Sequence, residues 1–237
     1  NAPVTLPKAD MLDVDFADGT AADQSETKNV LKTIGSPVIK DSNEMGKRIA
    51  SFNGSYDAYL YPFGSSKYDR MKVATIESVF CYDEIPSGEH DMFSNQQGGG
   101  IGLGLENGRL QFFCNVNKNG GGNGYVQPNA AIEAGKWYHA VGVFDGENVK
   151  LYLNGELIDS KSAGGSTIHW TTSENAQNFL IGADSNDSGG AESYSKGSVS
   201  IARLYSQSMT DEQVKKLYES LDPVLLSVSG ATGRMQI

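Results

Sequence analysis

Trp137-Tyr138-His139-Ala140-Val141-Gly142-Val143-Phe144-Asp145-Gly146-Glu147-Asn148-Val149-Lys150-Leu151-Tyr152-Leu153-Asn154-Gly155 reads as two alternating strands and the start of a third. Side chains alternate across a strand with period two. The odd positions Trp137, His139, Val141 and Val143 are therefore expected on one face, and Val149, Leu151 and Leu153 on the matching face of the next strand. Lys150, Tyr152 and Asn154 then point the other way. Asn154-Gly155 precedes the strand-like Leu157-Ile158 and supplies two residues that accept positive φ, as a type I′ hairpin turn requires.

The same grammar runs through the chain. Ile101, Leu103 and Leu105 alternate with Gly102 and Gly104, and Leu110, Phe112, Cys114 and Val116 alternate with polar residues. Asn107-Gly108 joins these runs as a second hairpin. Residues 12–16 form a short strand, 30–34 and 37–39 short edge strands, and 49–62 one or two strands. Residues 64–70 read as loop, and the glycine-rich stretch 117–124 as a mobile loop. Residues 73–83 are apolar on both faces, which implies a strand buried between layers. Strands at this spacing predict an all-β sandwich. One helix is expected near the C-terminus. Thr210 and Gln213 form a capping box, Val214, Leu217, Tyr218 and Leu221 share a face, and Asp222-Pro223 ends it.

A chain of 237 residues fits one β-sandwich domain. With 19 basic and 29 acidic residues the net charge is −10, and no Lys/Arg cluster occurs. Nucleic acid and anionic membranes are thus not expected as partners. No apolar stretch approaches the roughly 18 residues of a membrane span. The chain opens Asn1-Ala2-Pro3-Val4 rather than with Met, which reads as a mature or trimmed chain whose leader is missing. Cys81 and Cys114 lie in strand-like runs. A disulfide across neighbouring strands and two separate buried thiols both remain open.

Catalytic motifs are scarce. The three histidines, His90, His139 and His169, occur in no zinc-site spacing, and no G-x-S-x-G elbow is present. The glycine runs at 98–104 and 119–124 contain neither a P-loop nor a G-x-G-x-x-G followed by a helix. His139 shares the parity of Trp137 and Val141, so it is expected as a core histidine bonded to a backbone carbonyl.

The Trp-Tyr-His, Phe-Asp-Gly and Leu-Tyr-Leu-Asn-Gly pattern of residues 137–155 resembles the central hairpins of laminin G-like jelly rolls of the concanavalin A-like superfamily. Residues 49–56 resemble the early strand with its Phe-Asp-Gly motif, with Asn53 in place of Asp. Phe179-Leu180-Ile181-Gly182-Ala183 resembles the late Ile-Gly strand, and residues 198–205 with 208–213 resemble the final strand and closing helix. The resemblance covers roughly residues 12 to 221. It implies an antiparallel two-sheet jelly roll with one short C-terminal helix, spanning residues 11–222. Residues 1–10 would be an N-terminal tail, and 223–237 a C-terminal strand, tail or linker to a following domain.

Some glycosidases of this superfamily carry Glu-x-Asp-x-x-Glu on one strand. The nearest string here, Glu89-His90-Asp91-Met92-Phe93-Ser94, ends in Ser within a loop-like region, and Glu77 stands alone. Calcium is the expected cofactor, held in polar loops by Asp23, at a position where related jelly rolls often have an Asp-x-Ser loop, and by Asp184 and Asp187 after the Ile-Gly strand. The latter loop is no EF-hand, because position 12 would be Ser195. Sugars stack on aromatic rings and bond to amides. Asn95, Gln96 and Gln97, with Tyr125, Trp170 and Tyr194 in loops, are therefore the candidate ligand-binding residues. Residues 93–100 are also similar to laminin G-like modules beside metallophosphoesterase domains of secreted bacterial proteins, although the phosphoesterase metal motifs are absent here.

These readings converge on a noncatalytic binding module, extracellular, periplasmic or at the cell surface, whose partner is a carbohydrate or cell-surface glycan. A neighbouring catalytic domain is a further expected partner. The alternatives are a divergent glycoside hydrolase or lyase, marked by two carboxylates in a cleft, and a structural spacer docking a neighbouring domain.

Overall fold

The two Asn-Gly pairs adopt the left-handed backbone that type I′ turns need. Their φ angles are 54° and 72° at Asn107 and Gly108, and 51° and 81° at Asn154 and Gly155. They belong to a computed structural model that describes residues 2–221. In chain order the strands begin β1 (Leu12–Asp15), β2 (Lys32–Ile34), β3 (Val38–Ser42), β4 (Lys47–Asn53), β5 (Ala58–Pro62) and β6 (Ala74–Tyr82). There follow β7 (His90–Asn95), β8 (Ile101–Glu106), β9 (Arg109–Asn117), β10 (Asn123–Val126), β11 (Asn129–Ala130) and β12 (Trp137–Phe144). The last are β13 (Asn148–Leu153), β14 (Glu156–Ser162), β15 (Thr167–Ile168), β16 (Asn178–Ile181), β17 (Asp184–Ser185), β18 (Ala191–Glu192) and β19 (Lys196–Tyr205).

These strands form two antiparallel sheets packed as a sandwich. The first has the order β14-β13-β12-β6-β19-β4-β3, with β1 beside β19. The second has the order β10-β9-β8-β7-β16-β5-β2, with β11 and β15 beside β9. The expected edge strands β2 and β3 do close one edge of each sheet. Strands β17 and β18 make a separate hairpin. Residues 64–70, expected as loop, contain the single turn α1 (Ser65–Tyr68). Helix α2 (Asp211–Glu219) opens with its capping box, the Gln213 amide donating to Thr210 Oγ1 at 3.2 Å and the Thr210 amide to Gln213 Oε1 at 2.9 Å. The stretch 117–124, expected to be mobile, is instead a tight hairpin. Lys118 N–H donates to the Gly122 carbonyl at 3.0 Å, and β10 pairs straight back onto β9.

The shared interior draws Ile76, Phe80 and Tyr82 from β6 and Tyr138, Ala140 and Phe144 from β12. The opposite sheet supplies Phe93, Leu103, Leu105, Leu110, Phe112 and Cys114. The inward face of β12 therefore carries the even positions, which corrects the expectation that Trp137, His139, Val141 and Val143 face inward. The connection through residues 145–148 sets the pairing. Phe144 lies opposite Val149, Gly142 opposite Leu151 and Ala140 opposite Leu153. Val149, Leu151 and Leu153 do point inward as read. The odd positions of β12 are buried too, because a further layer covers that outer face. Val141, Val143 and Tyr152 pack with Val214 and Leu217 of α2, and Trp137 packs with Val79, Cys81 and Ile201.

His139 lies under this outer layer, fully buried and stacked near Tyr218 with ring centroids 5.8 Å apart. Its Nε2 meets Glu77 Oε2 at 2.8 Å rather than a backbone carbonyl. Glu77 is not alone either. Its Oε1 accepts the Tyr205 hydroxyl at 2.7 Å and lies 3.6 Å from Arg203. Burial pushes the Glu77 carboxyl up, but the His139 hydrogen bond and the Arg203 charge outweigh it and hold it below its ordinary value. Cys81 belongs to the outer layer and Cys114 to the interior, on strands of different sheets. Both thiols are free, so the bridged alternative falls away.

Residues 2–10, expected as a tail, run against α2. Leu6 and Ala9 pack on its layer, Gln213 Nε2 donates to the Thr5 carbonyl at 2.8 Å, and Lys216 Nζ donates to the Val4 carbonyl. Segment 223–237, read as a strand, tail or linker, lies outside the described residues. No helix among the described residues is long and apolar enough to cross a membrane.

At Gly142 the sheets approach so closely that an added Cβ would sit 2.6 Å from the Phe112 ring. Overpacking of this kind costs about 1–3 kcal/mol. Gly142→Ala should lower the unfolding free energy by that amount in urea titrations, and a variant as stable as the parent would contradict the packing described.

Candidate ligand-binding site

A bulge in β7 decides the site. The pairing of β7 with β8 shifts between Asp91 and Phe93, so Asp91 lies opposite Gly104 and Ser94 opposite Gly102. Met92 and Phe93 both enter the core, while Asp91 and Ser94 share the opposite face although they are three positions apart. Gly102 and Gly104 leave that face bare. An added Cβ on Gly104 would fall 2.0 Å from Asp91 Oδ1, and one on Gly102 would fall 2.2 Å from Ser94 Oγ. The two polar side chains of β7 thus lie across the backbone of β8, in space that any other residue would fill.

On the same side of the sheet lies a pocket of about 320 Å³. Glu89, Gln96, Gln97 and Asp184 line one side, Glu106, Gln127, Phe113 and Tyr125 the other, and Glu192 and Ser193 close it. Among the described residues, no Lys, Arg or His lines it. The Gln96 side-chain amide bridges two acids, donating to Glu89 Oε1 at 3.0 Å and to Asp91 Oδ2 at 2.5 Å. The Gln96 backbone N–H donates to Asp184 Oδ1 at 2.9 Å. Glu106 holds Gln127 at 2.8 Å on the far rim. The Tyr125 hydroxyl donates to the Gln96 and Gly99 carbonyls, so its partly exposed ring is fixed at the mouth.

Glu89, Asp91 and Asp184 place one carboxylate oxygen each within 4.8 Å of one another. Asp91 and Asp184 are fully buried. Burial, then the charges of Asp184 and Glu89, push the Asp91 carboxyl well above its usual range. Burial lifts Asp184 to about 7 against the opposing Gln96 hydrogen bond, with the Glu89 charge adding to the rise. Such a cluster suits two chemistries: a shared proton, or a hard cation with oxygen ligands.

The structure brings Gln96, Gln97, Tyr125 and Asp184 of the expected residues together in this pocket. Asp187 stays exposed at its edge, accepting Gln97 Nε2 at 3.0 Å. The other candidates are engaged elsewhere. Asn95 is fully buried and ties its amide to the Ala176 and Asn178 carbonyls. Trp170 stacks on Tyr68 at 4.3 Å and donates to the Met71 carbonyl at 2.8 Å, which makes it a loop anchor. Tyr194 turns its ring to Tyr56 and packs beside Ala58 and Leu60. Asp23 accepts the N–H groups of Asp13, Ser25 and Asn29 and the Asn29 amide, all within 2.9 Å, and so clamps its own loop.

Glu106 and Gln127 were not anticipated, and Glu89 and Asp91 were weighed only as a glycosidase-like string and set aside. Residues 90–95 are a strand and not a loop, which removes one ground for passing over Glu89-His90-Asp91. The alternation of Gly102 and Gly104 with leucines was the visible sign that one face of β8 is kept empty.

A family model for the concanavalin A-like lectin/glucanases superfamily, of laminin G type, matches residues 63–215. No curated protein matches the chain significantly. Among solved structures, the binding domain of Paraclostridial Mosquitocidal Protein 1 aligns with a TM-score of 0.67 at 16% identity, over 89% of this chain and 52% of that one. The binding domain of botulinum neurotoxin DC in complex with SialylT gives 0.67 at 13% identity, over 90% and 52%. The same toxin's binding domain in complex with rat synaptotagmin II gives 0.66 at 12% identity, over 90% and 52%. The chain spans about half the length of these structures, and identities this low establish a shared fold alone.

Asp184 also makes a stability prediction. Its pKa is about 7 in the folded chain against 3.8 ordinarily, so between those values the folded state holds a proton that the unfolded state has released. The resulting stability is present in acid and lost as the pH rises through 7. In chelator-treated buffer, Asp184→Asn should shrink the stability difference between pH 5 and pH 8 by an amount on the order of 2 kcal/mol. An unchanged pH dependence in urea titrations would refute the assignment.

Proposed function

The chain belongs to the concanavalin A-like lectin/glucanase superfamily, and from that premise we propose that it is a noncatalytic binding module for carbohydrate. The observation that carries this reading is the pocket on the outer face of the second sheet. It offers side-chain amides at Gln97 and Gln127, carboxylates at Glu89 and Glu106, and a fixed ring at Tyr125. Hydroxyl-rich ligands are recognised by a few oriented polar groups beside an aromatic surface. Solved relatives of the same fold include a binding domain in complex with SialylT, which supports a glycan here, and one in complex with a protein, rat synaptotagmin II. Such a module would act outside the cytoplasm, in the secreted or surface-bound setting expected of laminin G-like chains, and as an accessory to a larger protein.

The enzyme alternative draws on the acids in the same crevice. Glycosidases hold their two carboxyls about 5–5.5 Å apart when retaining and about 6.5–9.5 Å apart when inverting, with the glycosidic bond between them. Here three carboxylates crowd within 4.8 Å, Asp91 and Asp184 are buried, and the Gln96 amide fills the space between Glu89 and Asp91. The burial of two of the acids and the amide lodged between Glu89 and Asp91 favour binding over bond cleavage. Reducing ends released from polysaccharides by the parent protein, but not by Glu89→Gln, would establish the enzyme instead.

A glycan array run with the parent protein should give selective hits, and Gln127→Ala should weaken the best of them about tenfold, a loss of about 1.4 kcal/mol. Tyr125→Ala should weaken it at least as much while thermal melts confirm folding. Absence of any hit, with or without calcium, would defeat the carbohydrate reading.

A further inference from the structure

We infer that a second pocket, walled by Trp170, is a further sugar subsite, and that the two pockets together take one oligosaccharide free of anionic groups. The inference rests on the reading of the first pocket as a glycan site and extends it to a longer chain.

The second pocket has the same volume as the first, about 320 Å³. Tyr68 and Trp170 supply its aromatic wall, and Ser65, Asp69, Thr172 and Glu174 its polar edge. Trp170 is held from several sides. Tyr68 stacks on it with the ring planes 6° apart, the Phe179 ring meets it edge to face at 6.1 Å, and its indole N–H is already given to the Met71 carbonyl. With that polar group turned inward, Trp170 offers the pocket carbon surface. A sugar ring lays its C–H face on such a surface and turns its hydroxyls to the polar groups around it. An aromatic ring that is already fixed loses little freedom on binding, so more of the contact appears as affinity.

One loop separates the two pockets. Gln96 and Gln97 line the first, and Gly99, just beyond them, is wedged between Tyr125 on one side and Trp170 and Thr171 on the other. Its N–H donates to the Tyr125 hydroxyl at 3.1 Å. A Cβ on Gly99 would fall 2.7 Å from the Thr171 nitrogen and 2.9 Å from the Trp170 carbonyl carbon. The φ angles of 68° at Gly98 and 146° at Gly99 also favour glycine. Gly98 is exposed, so the ridge between the pockets carries no side chain at that point. The wall is a single stretch of backbone kept thin by glycine, and a ligand chain can cross it from Tyr125 towards Trp170.

Charge narrows the class of ligand. Asp69 and Glu174 edge the second pocket and Glu106 and Glu192 the first, and among the described residues no Lys, Arg or His lines either. Carboxylates accept hydrogen bonds from sugar hydroxyls. A sialylated, uronic or sulfated chain would instead bring like charge to a protein whose net charge is −10.

The test is fluorescence titration with gluco-, manno-, xylo- and N-acetylglucosamine oligosaccharides of increasing length, and with oligogalacturonate and sialylated oligosaccharides as anionic probes. The chain has two tryptophans, and Trp137 is buried under the outer layer of the first sheet, so acrylamide quenching reports on Trp170. Trp170→Phe supplies the background signal. One uncharged series should shield Trp170 and gain affinity on the order of tenfold once it is long enough to fill both pockets. Thr172→Val and Glu174→Gln, both exposed changes checked by thermal melts, should remove most of that gain and leave the monosaccharide unaffected. Binding with unchanged quenching and no dependence on length overturns the subsite and leaves the first pocket standing. Binding that Glu174→Gln weakens but Gln127→Ala and Tyr125→Ala do not overturns the first pocket and, with it, the span across both. Tighter binding of the anionic probes overturns the assigned class, and no binding by any series overturns both readings.

Discussion

Everything in this fold depends on two pleated sheets sharing one dry interior at a fixed separation. Phe112 from one sheet fills the space that Gly142 leaves in the other. Tyr61, Phe80, Phe93, Phe144 and Phe179 complete an interior from which water is excluded. Burial of this kind is worth about 25 cal/mol per Å² of apolar surface, which far exceeds what any single hydrogen bond adds. The outer faces are then free to differ. The first sheet covers its outer face with α2 and the N-terminal segment, and the second keeps a stretch of its outer face open over β7, β8 and β9.

How much of this was legible depended on how local each signal is. Asn107-Gly108 and Asn154-Gly155 dictate their own turns, and Thr210 with Gln213 dictates a helix start. These rest on a few adjacent residues and read directly from the chain. The facing of β12 did not. Its odd and even positions are both apolar, so period two marks a strand without saying which side is inward. That choice was made by residues 145–148 and by a helix more than sixty positions away. The acid cluster was hidden for a related reason. Strict alternation puts positions 91 and 94 on opposite faces, and only the bulge reunites them. Asp184 and Gln97 carry the turn-like chemistry that drew notice, whereas Glu89 and Asp91 join them through long-range pairing that no window of sequence contains.

The two outer faces handle buried charge in opposite ways. Under α2, Glu77 is met by His139, Tyr205 and Arg203, so its negative form is stabilised despite complete burial. Breaking such a set leaves an uncompensated charge, so it ties β6, β12 and β19 together beneath the outer layer. On the pocket side the acids receive neutral donors, chiefly the amide and backbone N–H of Gln96, and the proton affinity of Asp91 and Asp184 rises instead. One cluster is closed and answered within the chain; the other is left wanting positive charge from outside it. The contrast separates architecture from recognition within a single sandwich.

The unbridged cysteines bear on how the protein would be watched in motion. Burial drives the Cys81 thiol up to about 12 and Cys114 higher still, so neither is nucleophilic near neutrality while folded. One reports from beneath the outer layer and the other from between the sheets. Alkylation of either must wait for its layer to open, and the chain thereby carries two built-in clocks, one for the lifting of its cover and one for the parting of its halves.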